Sequence, residues 1–144
     1  MTKGIVQVVL RLLSAIGGMP AAVVLALTTL MIDPDAGVRL ALALAISFAV
    51  VLLLRIVLFR KRPQPKRHHS FIERVQASSF PSAHASRAGT FAAMAVVYLP
   101  AAWMAVTLIF CVGICASRII LRKHHLLDVV AGAAIGTVCA AAVL

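Results

Sequence analysis

Two histidines, one aspartate and a set of arginines carry the reactive chemistry of this 144-residue chain. His124 and Asp128 stand four apart, which on a helix places them on one face, where the carboxylate can hold a ring N–H and fix the imidazole tautomer. Pro81-Ser82-Ala83-His84 reads as a helix start. Its unpaired N–H groups make an anion site, with His84 in the first turn. Arg55, Arg62 and Arg118 are permanently charged forks suited to phosphate oxygens. Together these residues form a phosphate cradle with two imidazoles and an orienting acid. That set fits attack by one imidazole with acid–base help from the other. Taken singly, each piece has an ordinary use: an arginine snorkelling to the interface, a helix start, a hydrogen bond within a helix, a basic loop. Their joint spacing is what points to chemistry.

The elements that must position them are apolar. The chain is 62% hydrophobic and 12% charged, with a mean hydropathy of +1.05. A soluble chain of this length cannot hide that much apolar surface. Uncharged stretches run from Leu12 to Ile32, Leu40 to Leu54, Ala88 to Ser117 and Val129 to Leu144. A hydrocarbon core of ~30 Å takes about 20 helical residues. The expectation is an all-α integral membrane bundle, one domain over 1–144, built from about five hydrophobic segments: 4–32, 36–59, 81–98, 101–121 and 124–143. Gly17-Gly18 and Pro20 weaken the first and would separate a short interfacial helix from a spanning one, making six helices. A cleaved leader is disfavoured, because Arg11 interrupts the first run and no small-residue cleavage pattern follows Leu27. Residues 60–80 read as a polar loop.

That order brings the polar groups together. Segments three and four form a hairpin turning at Leu99-Pro100-Ala101, so the start of one and the end of the other share a membrane face, where segment two also ends. Of the 14 Lys and Arg, eight lie between Arg55 and Arg87 and three between Arg118 and Lys123. Both clusters and all five histidines therefore converge on one face, with Asp33 and Asp35 on the other. The net charge of +10 comes without aromatic interleaving or a soluble recognition helix, which argues against nucleic acid as a partner. Cys111, Cys115 and Cys139 lie in apolar stretches and read as packing residues.

The convergent spacing resembles the type 2 phosphatidic acid phosphatase superfamily, the membrane lipid phosphate phosphatases, whose signature is KxxxxxxRP, PSGH and SRxxxxxHxxxD. Here the first part runs Arg55 to Arg62-Pro63, with Arg replacing Lys. The second is Pro81-Ser82-Ala83-His84, with Ala replacing Gly. The third is complete from Ser117-Arg118 through His124 to Asp128. The resemblance implies that His124 attacks phosphorus, oriented by Asp128, and that His84 protonates the leaving oxygen and then activates water. It also implies that Arg55, Arg62, Arg118, Ser82 and the backbone near Ala83 hold the phosphoryl oxygens. No cofactor or metal is implied, and besides Asp128 the face offers only Glu73, too few carboxylates for a magnesium cage. An ordinary helical φ at 83 would tolerate the extra methyl.

The flanking residues look like the polyisoprenoid diphosphate phosphatase branch, which implies Arg87 as a head-group contact; Lys61 is a second candidate contact. Isoprenoid diphosphates or monophosphates are the favoured substrates; phosphatidate- or phosphatidylglycerophosphate-type lipids and polyprenyl-phosphosugar phosphates are the alternatives. The partner is a membrane lipid, and self-association stays open. The positive-inside rule puts the site on the cytoplasmic face of the cell membrane. Two rival classes are a non-catalytic anionic-lipid-binding or anion-conducting protein and a vanadium-dependent haloperoxidase. The first leaves the two histidines and Asp128 unexplained; the second lacks its large soluble helical scaffold.

Overall fold

The computed structural model describes residues 2–64, 67 and 69–144, with the side chains of residues 2 and 3 left aside. Its helices are α1 (Thr2–Ile16), α2 (Met19–Ile32), α3 (Pro34–Val57), α4 (Phe71–Ala77), α5 (Ala83–Tyr98), α6 (Ala101–Ile120) and α7 (Leu126–Ala141). The all-helical membrane bundle expected from the sequence is the fold. α3 and α6 are each long and apolar enough to cross a bilayer, and α1 with α2 passes as one span bent by 52°. The bend falls at Gly17-Gly18, where Gly18 is extended and Pro20 opens α2.

Local chemistry sets the other boundaries. Asp33 ends α2 and caps α3, its Oδ1 accepting from the Ala36 N–H at 3.1 Å, with Pro34 as the first helical residue. α6 ends in a left-handed residue, Arg122, at φ 52°. The Arg122 N–H then bonds to the Ile119 carbonyl at 2.9 Å and the Lys123 N–H to the Arg118 carbonyl at 3.0 Å, the Schellman arrangement. This reversal returns the chain to Arg118 just before His124.

Two expectations are corrected. The segment 60–80 is more than a loop, because it holds α4. Ser70 Oγ accepts from the Glu73 N–H at 3.2 Å and Glu73 Oε2 from the His69 N–H at 2.7 Å, which seats the helix start. The last helix begins at Leu126 rather than at residue 124, which leaves His124 outside it.

α5 is the centre of the bundle; Ala85 to Phe91 are all buried. Its main partner is α7, and the two backbones approach closely. A Cβ on Gly136 would fall 1.8 Å from the Ser86 carbonyl oxygen, and one on Gly132 2.4 Å from that of Ser82. In lipid, helices associate through such packing and through hydrogen bonds rather than the hydrophobic effect. Thr90 supplies one of the latter, Oγ1 donating to the Gly136 carbonyl at 3.3 Å. The opposite pole is tied by Arg39, which pairs with Asp35 at 2.9 Å and donates to the Val143 and Leu144 carbonyls.

Candidate active site

The last turn of α3, the start of α5, the end of α6 and the approach to α7 meet at one end of the bundle. Arg55, Arg62, Arg118 and His124 lie within mutual electrostatic reach there. His84 lies within reach of Arg118, Arg87, His124 and Lys123. The three sequence blocks thus come together at this end.

The arginines are built in, not free. Arg55 donates through Nε and Nη2 to the Pro81 carbonyl at 3.0 and 2.8 Å, so it fixes the chain entering α5. Arg62 donates through Nη2 to the Gln76 carbonyl at 2.6 Å, at the end of α4. Arg118 donates through Nη1 to Ser14 Oγ of α1. The Nε–H groups of Arg62 and Arg118 are buried and have no acceptor among the described residues. An unsatisfied buried donor costs about 1–3 kcal/mol, more on a charged group. Anionic oxygens placed between them would remove that cost.

His124 is 2% exposed, and its Nδ1 lies 2.7 Å from the Ser79 carbonyl oxygen. A carbonyl only accepts, so Nδ1 carries the proton and Nε2 keeps its lone pair. Burial lowers the His124 pKa to about 3, helped by the nearby charge of Arg118 and opposed by the Ser79 hydrogen bond. The ring is therefore a neutral base of defined tautomer, the form a nucleophile requires.

Asp128 is where the expected geometry fails. It does not hold the ring of His124. The fully buried carboxylate accepts from Ser79 Oγ, from the His125 N–H at 2.8 Å and from Arg60 Nη1 at 2.9 Å, with His125 Nδ1 3.1 Å away. The physical reason is the helix start. A four-residue spacing aligns two side chains only inside a helix, and α7 begins at Leu126 with His125 as its N-cap. As the third helical residue, Asp128 bonds back to the cap instead. It acts on His124 through Ser79.

Ser82 is buried and caps α5, accepting from the Ala85 N–H at 3.4 Å, while its own N–H donates to the Asp128 carbonyl at 2.9 Å. Ala83 begins the helix with ordinary φ, as expected; Arg122 has the positive φ. Arg87 is buried, and its Nε donates to the Gly17 carbonyl at 2.9 Å, bracing the α1–α2 bend beside His84. Lys61 is exposed on the loop after α3. Sequence reasoning missed Ser79, Arg60, His125 and Ser14. Of these, His125 carried a signal, since a polar residue three before an acid and followed by an apolar run is a cap pattern.

Residues 36–144 match the family model described as PAP2 superfamily. No curated protein is similar enough in sequence to match the chain. Among solved structures, the fold is similar to the crystal structure of Aquifex aeolicus LpxE, with a TM-score of 0.83 and 22% identity, over 96% of this chain and 85% of that one. It is also similar to the first transmembrane PAP2 type phosphatidylglycerolphosphate phosphatase from Bacillus subtilis, with a TM-score of 0.72 and 22% identity, over 96% of this chain and 74% of that one. With a family model covering most of its length and all three arginine–histidine blocks, the chain belongs to the PAP2 superfamily.

Proposed function

We propose that this membrane phosphatase cleaves a phosphoryl group from a lipid phosphate through a phosphohistidine at His124. The observation that carries the reading is the pair of buried, acceptor-free Nε–H groups of Arg62 and Arg118 beside a neutral His124. Nε2 of His124 attacks phosphorus in line, and the bond from phosphorus to the lipid oxygen breaks. His84 protonates that oxygen. Water then attacks the phosphohistidine, giving its proton to His84, and inorganic phosphate leaves. An entering phosphoryl group brings the negative charge that the cations around His84 lack, which favours a proton on His84. Arginines spread around the equatorial oxygens neutralise the charge of a loose transition state.

The substrate class is a membrane lipid bearing a terminal phosphate. Isoprenoid diphosphates or monophosphates are one candidate group. The diphosphate cue, Arg87, spends its Nε on Gly17, so a phospholipid monoester of the phosphatidate or phosphatidylglycerophosphate type fits equally well. The basic end of the bundle favours the cytoplasmic face of the cell membrane.

Purified protein in detergent should release phosphate from such lipids, and brief incubation with a radiolabelled lipid phosphate should leave label on His124. His124→Asn should abolish both label and release. Full turnover by that variant overturns the mechanism, and label on another residue relocates the nucleophile.

A further inference from the structure

A cavity of about 510 Å³ opens between α1 and the turn joining α6 to α7. Gln7 and Arg11 of α1, Gln64 of the loop after α3, and Arg122 and Lys123 of the turn line it. No carboxylate lines it, and none of its three cations forms an ion pair among the described residues. Like charge crowds Lys123, whose pKa is lowered by burial and then by Arg118, Arg62 and Arg11. The cavity adjoins the phosphoryl cradle through Lys123, which lines it, precedes His124 in the chain and donates its N–H to the Arg118 carbonyl at 3.0 Å.

Two further features mark the cavity as built. Arg122 holds a left-handed backbone at φ 52°, a position that favours glycine, yet it carries a long cationic side chain there. The Gln64 N–H donates to the Arg122 carbonyl at 3.2 Å, so the loop carrying Arg62 is tied to the turn carrying Lys123. Gln7 and Arg11 come from α1, outside the residues 36–144 that match the family model.

We propose that this cavity is a second anion subsite, which binds a phosphodiester-type phosphate while the terminal phosphate of the same lipid occupies the arginine cradle. The inference rests on the phosphatase reading and narrows it to lipids whose head group carries a second phosphate set apart from the reacting one. Arg11, Arg122 and Lys123 supply the charge, and the Gln7 and Gln64 amides supply neutral donors.

The test uses the full chain in neutral detergent on a His124→Asn background, so that binding is read without turnover. Three short-chain dioctanoyl lipids serve as probes: phosphatidylglycerophosphate, phosphatidate and phosphatidylglycerol. Adding Arg11→Gln and Lys123→Gln should weaken phosphatidylglycerophosphate about tenfold or more, since each surface cation is worth about fivefold, and phosphatidate by less than about threefold. A neighbouring bilayer lipid as the source of the second phosphate would give loss of phosphatidylglycerol alone. Equal weakening of all three lipids, or of none, overturns the subsite. Phosphate release by the unmodified protein from the first two lipids reports separately on the phosphatase reading.

Discussion

Nδ1 of His124 lies 2.7 Å from the carbonyl oxygen of Ser79, whose hydroxyl donates to Asp128. The acid therefore orients the His124 ring through one intervening residue. Ser79→Ala keeps the backbone carbonyl but frees it to shift, so kcat should fall about 10- to 100-fold with KM nearly constant, as for other groups that orient a reacting imidazole. Steady-state kinetics on one lipid phosphate decide it. A change confined to KM would assign Ser79 to substrate binding instead.

Asp128→Ala removes the acceptor of Ser79 Oγ, the His125 N–H and Arg60 at once. The Ser79 donor is buried and the other two are part-buried, so unfolding in detergent should become easier by about 2–5 kcal/mol, alongside the loss of activity. Asp128→Asn keeps one acceptor and should cost less than half of that. Thermal unfolding of both variants tests the ordering.

Much of this was legible because apolar stretches, prolines and charge clusters act locally. Pro100 does break the hairpin between α5 and α6, and Asp33-Pro34 does separate α2 from α3. The convergence of Arg55, Arg62, Arg118, His84 and His124 followed from counting crossings. Partner choice was not legible. Whether Asp128 meets His124 or His125 turns on a two-residue shift in where α7 begins. Ser79 lies 45 residues from His124 and 49 from Asp128, and no local pattern links them. α4 hid inside a basic loop, although Ser70-Phe71-Ile72-Glu73 has the capping-box form. Gly132 and Gly136 were not singled out from the sequence, and the closeness of the α5 backbone is what reveals why glycine is needed there.

Acid should destabilise the protein through His124. Its folded pKa of about 3 lies below the ordinary 6.5, so between those values the unfolded chain binds a proton that the folded one refuses. Stability is therefore full above about pH 6.5 and falls as the pH drops towards 3. The unfolding temperature measured across that window should fall less steeply in His124→Asn. Parallel curves for the two proteins would show that the ring titrates normally.

Gly136→Ala should be among the most damaging single-methyl changes. The new Cβ would meet the Ser86 carbonyl oxygen at 1.8 Å and the Thr90 nitrogen at 2.9 Å, both backbone atoms of α5 that cannot rotate away. Overpacking of this kind costs about 1–3 kcal/mol or more. It would also push α5 away from α7, and with it His84 away from His124. Unfolding temperature and phosphate release should fall together, whereas Gly4→Ala, with nothing near its Cβ, should change neither.

Arg122 offers the opposite experiment. A residue with a Cβ in the left-handed region costs roughly 1–2 kcal/mol, and glycine does not. Glycine in turn loses about 0.5–1 kcal/mol more chain entropy on folding. Arg122→Gly should therefore stabilise the fold slightly, by about 0.5–1 kcal/mol, while Arg122→Ala keeps the strain and gains nothing. The gap between these two variants in thermal unfolding isolates the backbone contribution, because both remove the guanidinium. If alanine proves as stable as glycine, the turn is not strained at φ 52°, and the preference for arginine there needs no compensating role. If glycine is the more stable and also weakens binding of a lipid with two phosphates, the chain holds a strained backbone at the turn before His124 in exchange for a cation.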